Sequence, residues 1–187
     1  MSSKTLDWKK ELPMIATYSR IGIGVFIVAL LFSKFDWAGW ASAVLFALAS
    51  FTDWLDGYWA RKYHCESVMG QFMDPIADKL LVLPTLTMLL WMQRIDPFIV
   101  ILLSSRDIFI GGLRSVAAAN HVIIAAKPFG KWKTGFQMLS IPMLLIYEPL
   151  FGVPIAQIGI YGLWISVVLS AFSGIEYSWG YWKGRKP

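Results

Sequence analysis

Residues 53–81 read DWLDGYWARKYHCESVMGQFMDPIADKLL, and the polar centre of this stretch separates two apolar runs, about Trp37 to Tyr63 and a third ending near Gln93. Each is long enough to cross roughly 30 Å of hydrocarbon as a helix rising about 1.5 Å per residue. The connection through His64, Glu66 and Gly70 is short, so the two helices are predicted to be antiparallel neighbours. Breakers and charges mark four more runs on either side. The first is Pro13 to Ser33, set off by Lys34, Phe35 and Asp36, and the fourth opens at Pro97 and lasts to about Asn120. A loop with Lys127, Pro128 and Gly130 leads to the fifth, Trp132 to Tyr147, and after Glu148 and Pro149 the sixth runs from Pro154 to Trp182. The expected fold is all-α: a polytopic membrane protein with six transmembrane helices, forming one domain over residues 1–187, without an internal repeat.

Composition agrees. Hydrophobic residues make up 57% of the chain and charged ones 16%, against roughly 45–50% and about 25% in soluble domains. An ordinary cytosolic globule is excluded, and a single Cys gives no internal disulfide. The formal charge of +5 is explained by where the cations lie. Lys4, Lys9 and Lys10, then Arg61 and Lys62, then Lys127, Lys131 and Lys133, then Lys183, Arg185 and Lys186 fall in the head, the alternate loops and the tail. The intervening loops carry Lys34 and Arg94. Short Lys- and Arg-rich loops stay cytoplasmic, so both termini are predicted inside, and no nucleic-acid partner is needed to account for the charge. Arg20 interrupts the first run and no Ala-x-Ala site follows, so this run is expected to be a retained helix, not a signal peptide. Trp37, Trp40, Trp91, Trp132, Trp179 and Trp182 near the run ends fit an interfacial belt. His64, Cys65 and His121 are isolated from one another in sequence, which makes a chemical role for any of them the minority expectation.

Ionised side chains at membrane depth are costly, so a cluster of them is a functional hypothesis. Asp53 and Asp56 are spaced i, i+3 at the end of the second run, and Asp74 and Asp78 are spaced i, i+4 at the start of the third. Each pair shares a helical face. In an antiparallel hairpin the pairs converge near the inner membrane surface. Four carboxylates together repel, and hard divalent cations relieve this; Mg²⁺ suits carboxylates combined with substrate phosphates, and two ions could share the four. Gly57, Ala60 and Gly70 leave room for a ligand beside the backbone, and Arg61 adds a fixed cation suited to phosphate. The plainer alternative is that the acids pair with Arg61, Lys62 and Lys79 while the small residues permit close helix packing.

Asp53, Asp56, Gly57, Ala60, Arg61, Gly70, Asp74 and Asp78 match, without gap or substitution, the pattern D-x2-D-G-x2-A-R-x8-G-x3-D-x3-D. In this the sequence resembles the CDP-alcohol phosphatidyltransferases. The resemblance implies six transmembrane helices, a cytoplasmic active site at a bacterial inner membrane, and a homodimer. It also implies transfer of a phosphatidyl group from a CDP-linked lipid to an alcohol with release of CMP. By the same resemblance Asp53, Asp56 and Asp74 hold divalent metal, Mg²⁺ or Mn²⁺, and Asp78 is a general base that also lies near the ions. Gly57, Ala60 and Gly70 would admit the cytidine and diphosphate, helped by Asp56 and Arg61.

The acceptor must be read from other residues. Asp107 and Arg114 in the fourth run share a helical face, and Arg106 and Arg114 lie about 80° apart. Lys131 and Lys133 follow in GKWKT, which is no P-loop, since Ala125 stands where the first Gly belongs and Trp132 follows the Lys. Such cations suit an acceptor with its own phosphate, such as glycerol 3-phosphate. Alternatively, Lys131 and Lys133 are positive-inside anchors and Asp107 neutralises Arg114. SRDIFIGGLRS and FGKWKTGFQM are similar to segments of the phosphatidylglycerophosphate synthase branch of the family, which implies CDP-diacylglycerol and sn-glycerol 3-phosphate as substrates. That branch commonly has Pro-Asn, then Thr and Arg, near the first run; Pro13, Thr17 and Arg20 fit and Met14 replaces the Asn. Arg20 either lines the acceptor cavity or pairs with a buried acid such as Glu176. The competing functions are a cardiolipin, phosphatidylserine or phosphatidylinositol phosphate synthase and, from another class, a divalent-cation transporter.

Overall fold

A computed structural model describes residues 8–33, 35–63, 68–119 and 128–184, with side chains for residues 18–33, 35–53, 55, 78–117, 129–180 and 182. The described residues form six α-helices and no strand: α1 Trp8–Phe32, α2 Ala38–Tyr63, α3 Val68–Trp91, α4 Pro97–Ala119, α5 Pro128–Ile146 and α6 Ile155–Gly184. They coincide in order with the six apolar runs. Two begin earlier than the runs did, α1 at Trp8 and α5 at Pro128. The reason is that polarity ends a membrane segment but not a helix: Lys9, Lys10 and Glu11 are good helix formers. A proline at the first helical position gives up an N–H that has no partner there anyway.

The chain divides into two compact units, Met1–Met88 and Leu89–Pro187. In the first, α1 packs on α2. Each helix buries a stripe at helical spacing: Arg20, Gly24, Ile27 and Leu31 on α1; Ala38, Ser42, Phe46 and Ala49 on α2; Leu81, Thr85 and Leu89 along α3. One turn further along, the stripes of α2 and α3 arrive at Asp53 and Asp78. Gly24 is where α1 meets α3, since a Cβ there would lie 2.8 Å from the Leu80 carbonyl oxygen.

In the second unit α6 packs on α5 and α4. Its inward stripe runs Ile155, Gly159, Gly162, Ser166, Ser170, Ser173 and Tyr177. The two glycines form a tight seam with α5: a Cβ on Gly159 would lie 2.9 Å from Leu144 Cγ, and one on Gly162 would collide with the Ser140 hydroxyl. At the other end of α5, Tyr147 takes a left-handed conformation (φ 63°) and its N–H donates to Met143 O at 3.0 Å. Arg94, in the loop after α3, donates to Leu144 O at 3.0 Å and Leu145 O at 2.6 Å, satisfying carbonyls left open at the helix end. Its guanidinium lies over the Tyr147 ring, 4.8 Å from the centroid. Burial pushes Arg94 below the ordinary arginine value, an effect that Tyr147 and Glu148 oppose.

The outward surface is the reverse of a soluble protein's. Phe26, Ile108, Phe109, Phe172 and Ile175 are exposed, while Ser42, Thr85, Gln137, Ser140 and Ser166 are buried. Exposed apolar area on this scale marks a surface made for lipid, and Ile155–Gly180 is long and apolar enough to cross a bilayer. All six tryptophans expected in the belt are exposed.

Candidate active site

The packed stripe of α1 carries Arg20 into the first unit, where its Nη1 meets Asp53 Oδ1 at 2.6 Å and Asp78 Oδ1 at 2.9 Å. One nitrogen thus joins two carboxylates from two helices and keeps their oxygens within about 5.5 Å of each other. Asp53 lies ten residues before the end of α2 and Asp78 ten residues after the start of α3. That these two residues meet on one arginine fits the antiparallel course expected for α2 and α3. Arg20 is buried at 3% exposure, whereas the Asp53 and Asp78 side chains keep 34% and 40%. The cation therefore sits behind acids that are open to a ligand. Arg20 thus pairs with acids, as one of its two expected roles had it, but the partners are Asp53 and Asp78 of the signature stretch and not Glu176.

Asp56 follows Asp53 by three residues within α2, and Asp74 precedes Asp78 by four within α3. Gly57, Ala60 and Arg61 lie in α2, Gly70 in α3 and Thr17 in α1; the side-chain expectations for these residues, and for Asp56 and Asp74, fall outside the described residues. His64, Cys65 and His121 also lie outside them. Among the described residues no three acidic, His or Cys side chains come together. The two described acids nonetheless suit a hard divalent cation: they offer carboxylate oxygens that are close together and partly open.

The second unit holds the opposite arrangement. Asp107 Oδ1 accepts from Arg106 Nη1 at 2.9 Å and from Lys133 Nζ at 2.5 Å. Arg106 also donates through Nε to Ser170 O at 3.3 Å and through Nη2 to Ser173 Oγ at 2.7 Å. Lys133 is buried at 3% exposure, and its own carbonyl accepts from Ser166 Oγ at 3.1 Å. Lys131, two residues earlier, is exposed. The pair of lysines read together in sequence is thus divided: the burial of Lys133 is not that of an interfacial anchor, which keeps its ammonium in water, while the position of Lys131 fits one. Arg114 donates to the Tyr177 hydroxyl at 2.5 Å and stacks 4.9 Å from that ring, so its partner is Tyr177 and not Asp107.

Sequence reasoning missed α6. Ser166, Ser170, Ser173 and Tyr177 supply backbone and hydroxyl partners to Lys133, Arg106 and Arg114. The available signal was hydroxyl side chains recurring at three or four residues along an otherwise apolar helix, the pattern by which membrane helices bring polar groups to a bundle interior.

The sequence profile described as CDP-alcohol phosphatidyltransferase matches residues 10–172, which takes in both charged clusters. The chain belongs to the CDP-alcohol phosphatidyltransferase family. It is 35% identical, over 94% of its length and 97% of the relative's, to a Bacillus subtilis protein named CDP-diacylglycerol–glycerol-3-phosphate 3-phosphatidyltransferase. A Rickettsia typhi protein of the same name is 36% identical over 90% of this chain and 95% of its own. An Arabidopsis thaliana protein, numbered 2 under that name, is 32% identical over 98% and 83%. Membership makes the chain a membrane-bound phosphatidyltransferase of a metal-using family.

Proposed function

We propose that this protein transfers the phosphatidyl group of CDP-diacylglycerol to sn-glycerol 3-phosphate, giving phosphatidylglycerol phosphate and CMP. The observation that carries the choice of acceptor is the second-unit cluster, in which the cations of Arg106 and Lys133 are gathered on Asp107 inside the helix packing. Burying cations in a bundle is costly without an anionic ligand, and an acceptor bearing a phosphate supplies one, whereas serine or free inositol does not. The names of the full-length relatives point the same way.

In this reading Asp53, Asp56, Asp74 and Asp78 hold Mg²⁺ or Mn²⁺, two ions in all. The bound metal neutralises the diphosphate and the charge that develops on departing CMP. The chain's own residues do the rest. Gly57, Ala60 and Gly70 give the cytidine and diphosphate access to the backbone, and Asp56 and Arg61 fix them. Arg106, Arg114 and Lys133 hold the acceptor's phosphate, with Lys131 contributing at longer range and Thr17 a candidate neighbour. Asp78 takes the proton of the acceptor hydroxyl as that oxygen bonds to the lipid-side phosphorus and the bond to CMP breaks. Catalysis is then positioning and electrostatics, with no covalent enzyme intermediate.

We read the six helices as six spans, residues 1–187 as one domain, and the protein as a homodimer in a bacterial cytoplasmic membrane with both termini and the site facing the cytoplasm. The charges support the topology: α2 has none from Ala38 to Thr52 and α3 none from Leu80 to Trp91, so the acids of both bunch toward their shared connection. The deciding experiment supplies purified protein in liposomes with radiolabelled CDP-diacylglycerol and, in turn, glycerol 3-phosphate, phosphatidylglycerol, serine and inositol phosphate, with and without Mg²⁺ or Mn²⁺. Metal-dependent lipid product and CMP are expected with glycerol 3-phosphate. Product with another acceptor alone would overturn the assignment.

A further inference from the structure

Arg20 joins two acids of the D-x2-D-G-x2-A-R-x8-G-x3-D-x3-D pattern but is itself outside it. It lies 58 residues before Asp78, on a different helix from either acid it touches. Nothing about its position suits an interfacial anchor, since a snorkelling arginine keeps its head in water and this one is 3% exposed. Its bonds also differ from those of a cation reserved for a substrate phosphate: Nη1 is committed to Asp53 and Asp78 at 2.6 and 2.9 Å. The close approach of α1 to α3 at Gly24, one turn along the same stripe, holds the arginine there.

We infer that Arg20 is a positioning residue for the transfer reaction, fixing the first and fourth aspartates of the signature against each other by gripping Oδ1 of each with a single nitrogen. The inference rests on the reading of Asp53 as a metal-holding residue and Asp78 as the base. A carboxylate gripped by one oxygen presents its other oxygen in a set direction. Asp53 and Asp78 come from separate helices, so no local backbone geometry would hold them in register without such a link. The arginine acts through both acids and makes no demand on the acceptor.

The test uses the full chain in detergent micelles, measuring kcat, KM for glycerol 3-phosphate, and Mn²⁺ binding by electron paramagnetic resonance. Arg20→Gln is expected to lower kcat by about 10–100-fold, the scale of a small misplacement of reacting groups, with KM for glycerol 3-phosphate within about twofold. Mn²⁺ binding is retained or tightened, because a cation has left the neighbourhood of the acids. Unchanged kcat overturns the inference. So does a raised KM at unchanged kcat, which would return Arg20 to the acceptor cavity, and so does loss of Mn²⁺ binding along with helicity, which would make its role structural only. Arg20→Lys keeps the test open should the glutamine variant not fold: its nitrogen is one bond shorter, so kcat falls about 3–10-fold, and wild-type kcat sinks the positional requirement. Asp78→Asn, measured alongside, separates the two ideas. Wild-type turnover in that variant removes the base reading itself, while a reduced turnover that Arg20→Lys lowers no further shows that the arginine acts through Asp78.

Discussion

The two units solve the same packing problem with opposite signs. In the first, one arginine holds two carboxylates; in the second, one carboxylate holds an arginine and a lysine. Each arrangement gathers its charges onto helix faces that are otherwise packed with apolar or small residues, acids meeting on a base in one and bases on an acid in the other. In the proposed function the acids serve a divalent cation and, with it, a diphosphate, and the bases serve a phosphate directly. The difference lies in side chains alone, since both units are helices packed through stripes of similar spacing. A phosphatidyltransferase with an anionic acceptor needs both kinds of surface.

The comparison breaks most visibly if the acids are neutralised. Asp78→Asn removes the proposed base and should lower turnover by about 10²–10⁴-fold, the usual contribution of general base catalysis, with CDP-diacylglycerol binding largely kept; product formation and nucleotide-lipid affinity are the two readouts. Lys133→Met, which keeps much of the side-chain volume, removes a charged hydrogen bond worth about 1.5–3 kcal/mol. It should raise KM for glycerol 3-phosphate by about 10–100-fold and leave KM for CDP-diacylglycerol nearly unchanged. Equal rises in both constants would end the division of labour between the two clusters. Asp107→Asn tests the second cluster from its centre: the two cations lose their shared anchor, and kcat/KM for the acceptor is expected to fall about 3–10-fold. A rise instead would mean that Asp107 only dilutes positive charge. Lys131→Ala should shift the acceptor's KM by no more than about twofold, as befits an exposed cation, and an effect as large as that of Lys133→Met would restore the two lysines to a common role.

Much of this was legible from residue order. The six helices follow from mainly apolar runs of membrane length, and the acids declare themselves because carboxylates in such runs have no packing use. What could not be read depends on partners distant in sequence. Lys131 and Lys133 are the same residue type two positions apart, and only the packing of α5 against α6 buries one and exposes the other. Arg20 gave its presence but not its partners, since Asp53 and Asp78 lie on two other helices, and the close approach of α1 to α3 comes at Gly24, a residue with no chemistry of its own. The serines of α6 were overlooked for a related reason: a hydroxyl in an apolar helix most often bonds its own backbone, as Thr85 does with Leu81 O at 2.7 Å. Their role appears only when α4 lies alongside.

The glycine seam between α5 and α6 has a consequence for how errors spread through the protein. Gly162 is one turn from Ser166, and Ser166 grips the backbone at Lys133. A methyl group added at Gly162 must therefore be absorbed either by Ser140 or by a shift of α6, and a shift would carry Ser170, Ser173 and Tyr177 with it. The seam works as a spacer gauge: the distance between two backbones, set where there is no charge at all, becomes the manufacturing tolerance of the proposed phosphate clamp further along the same helix.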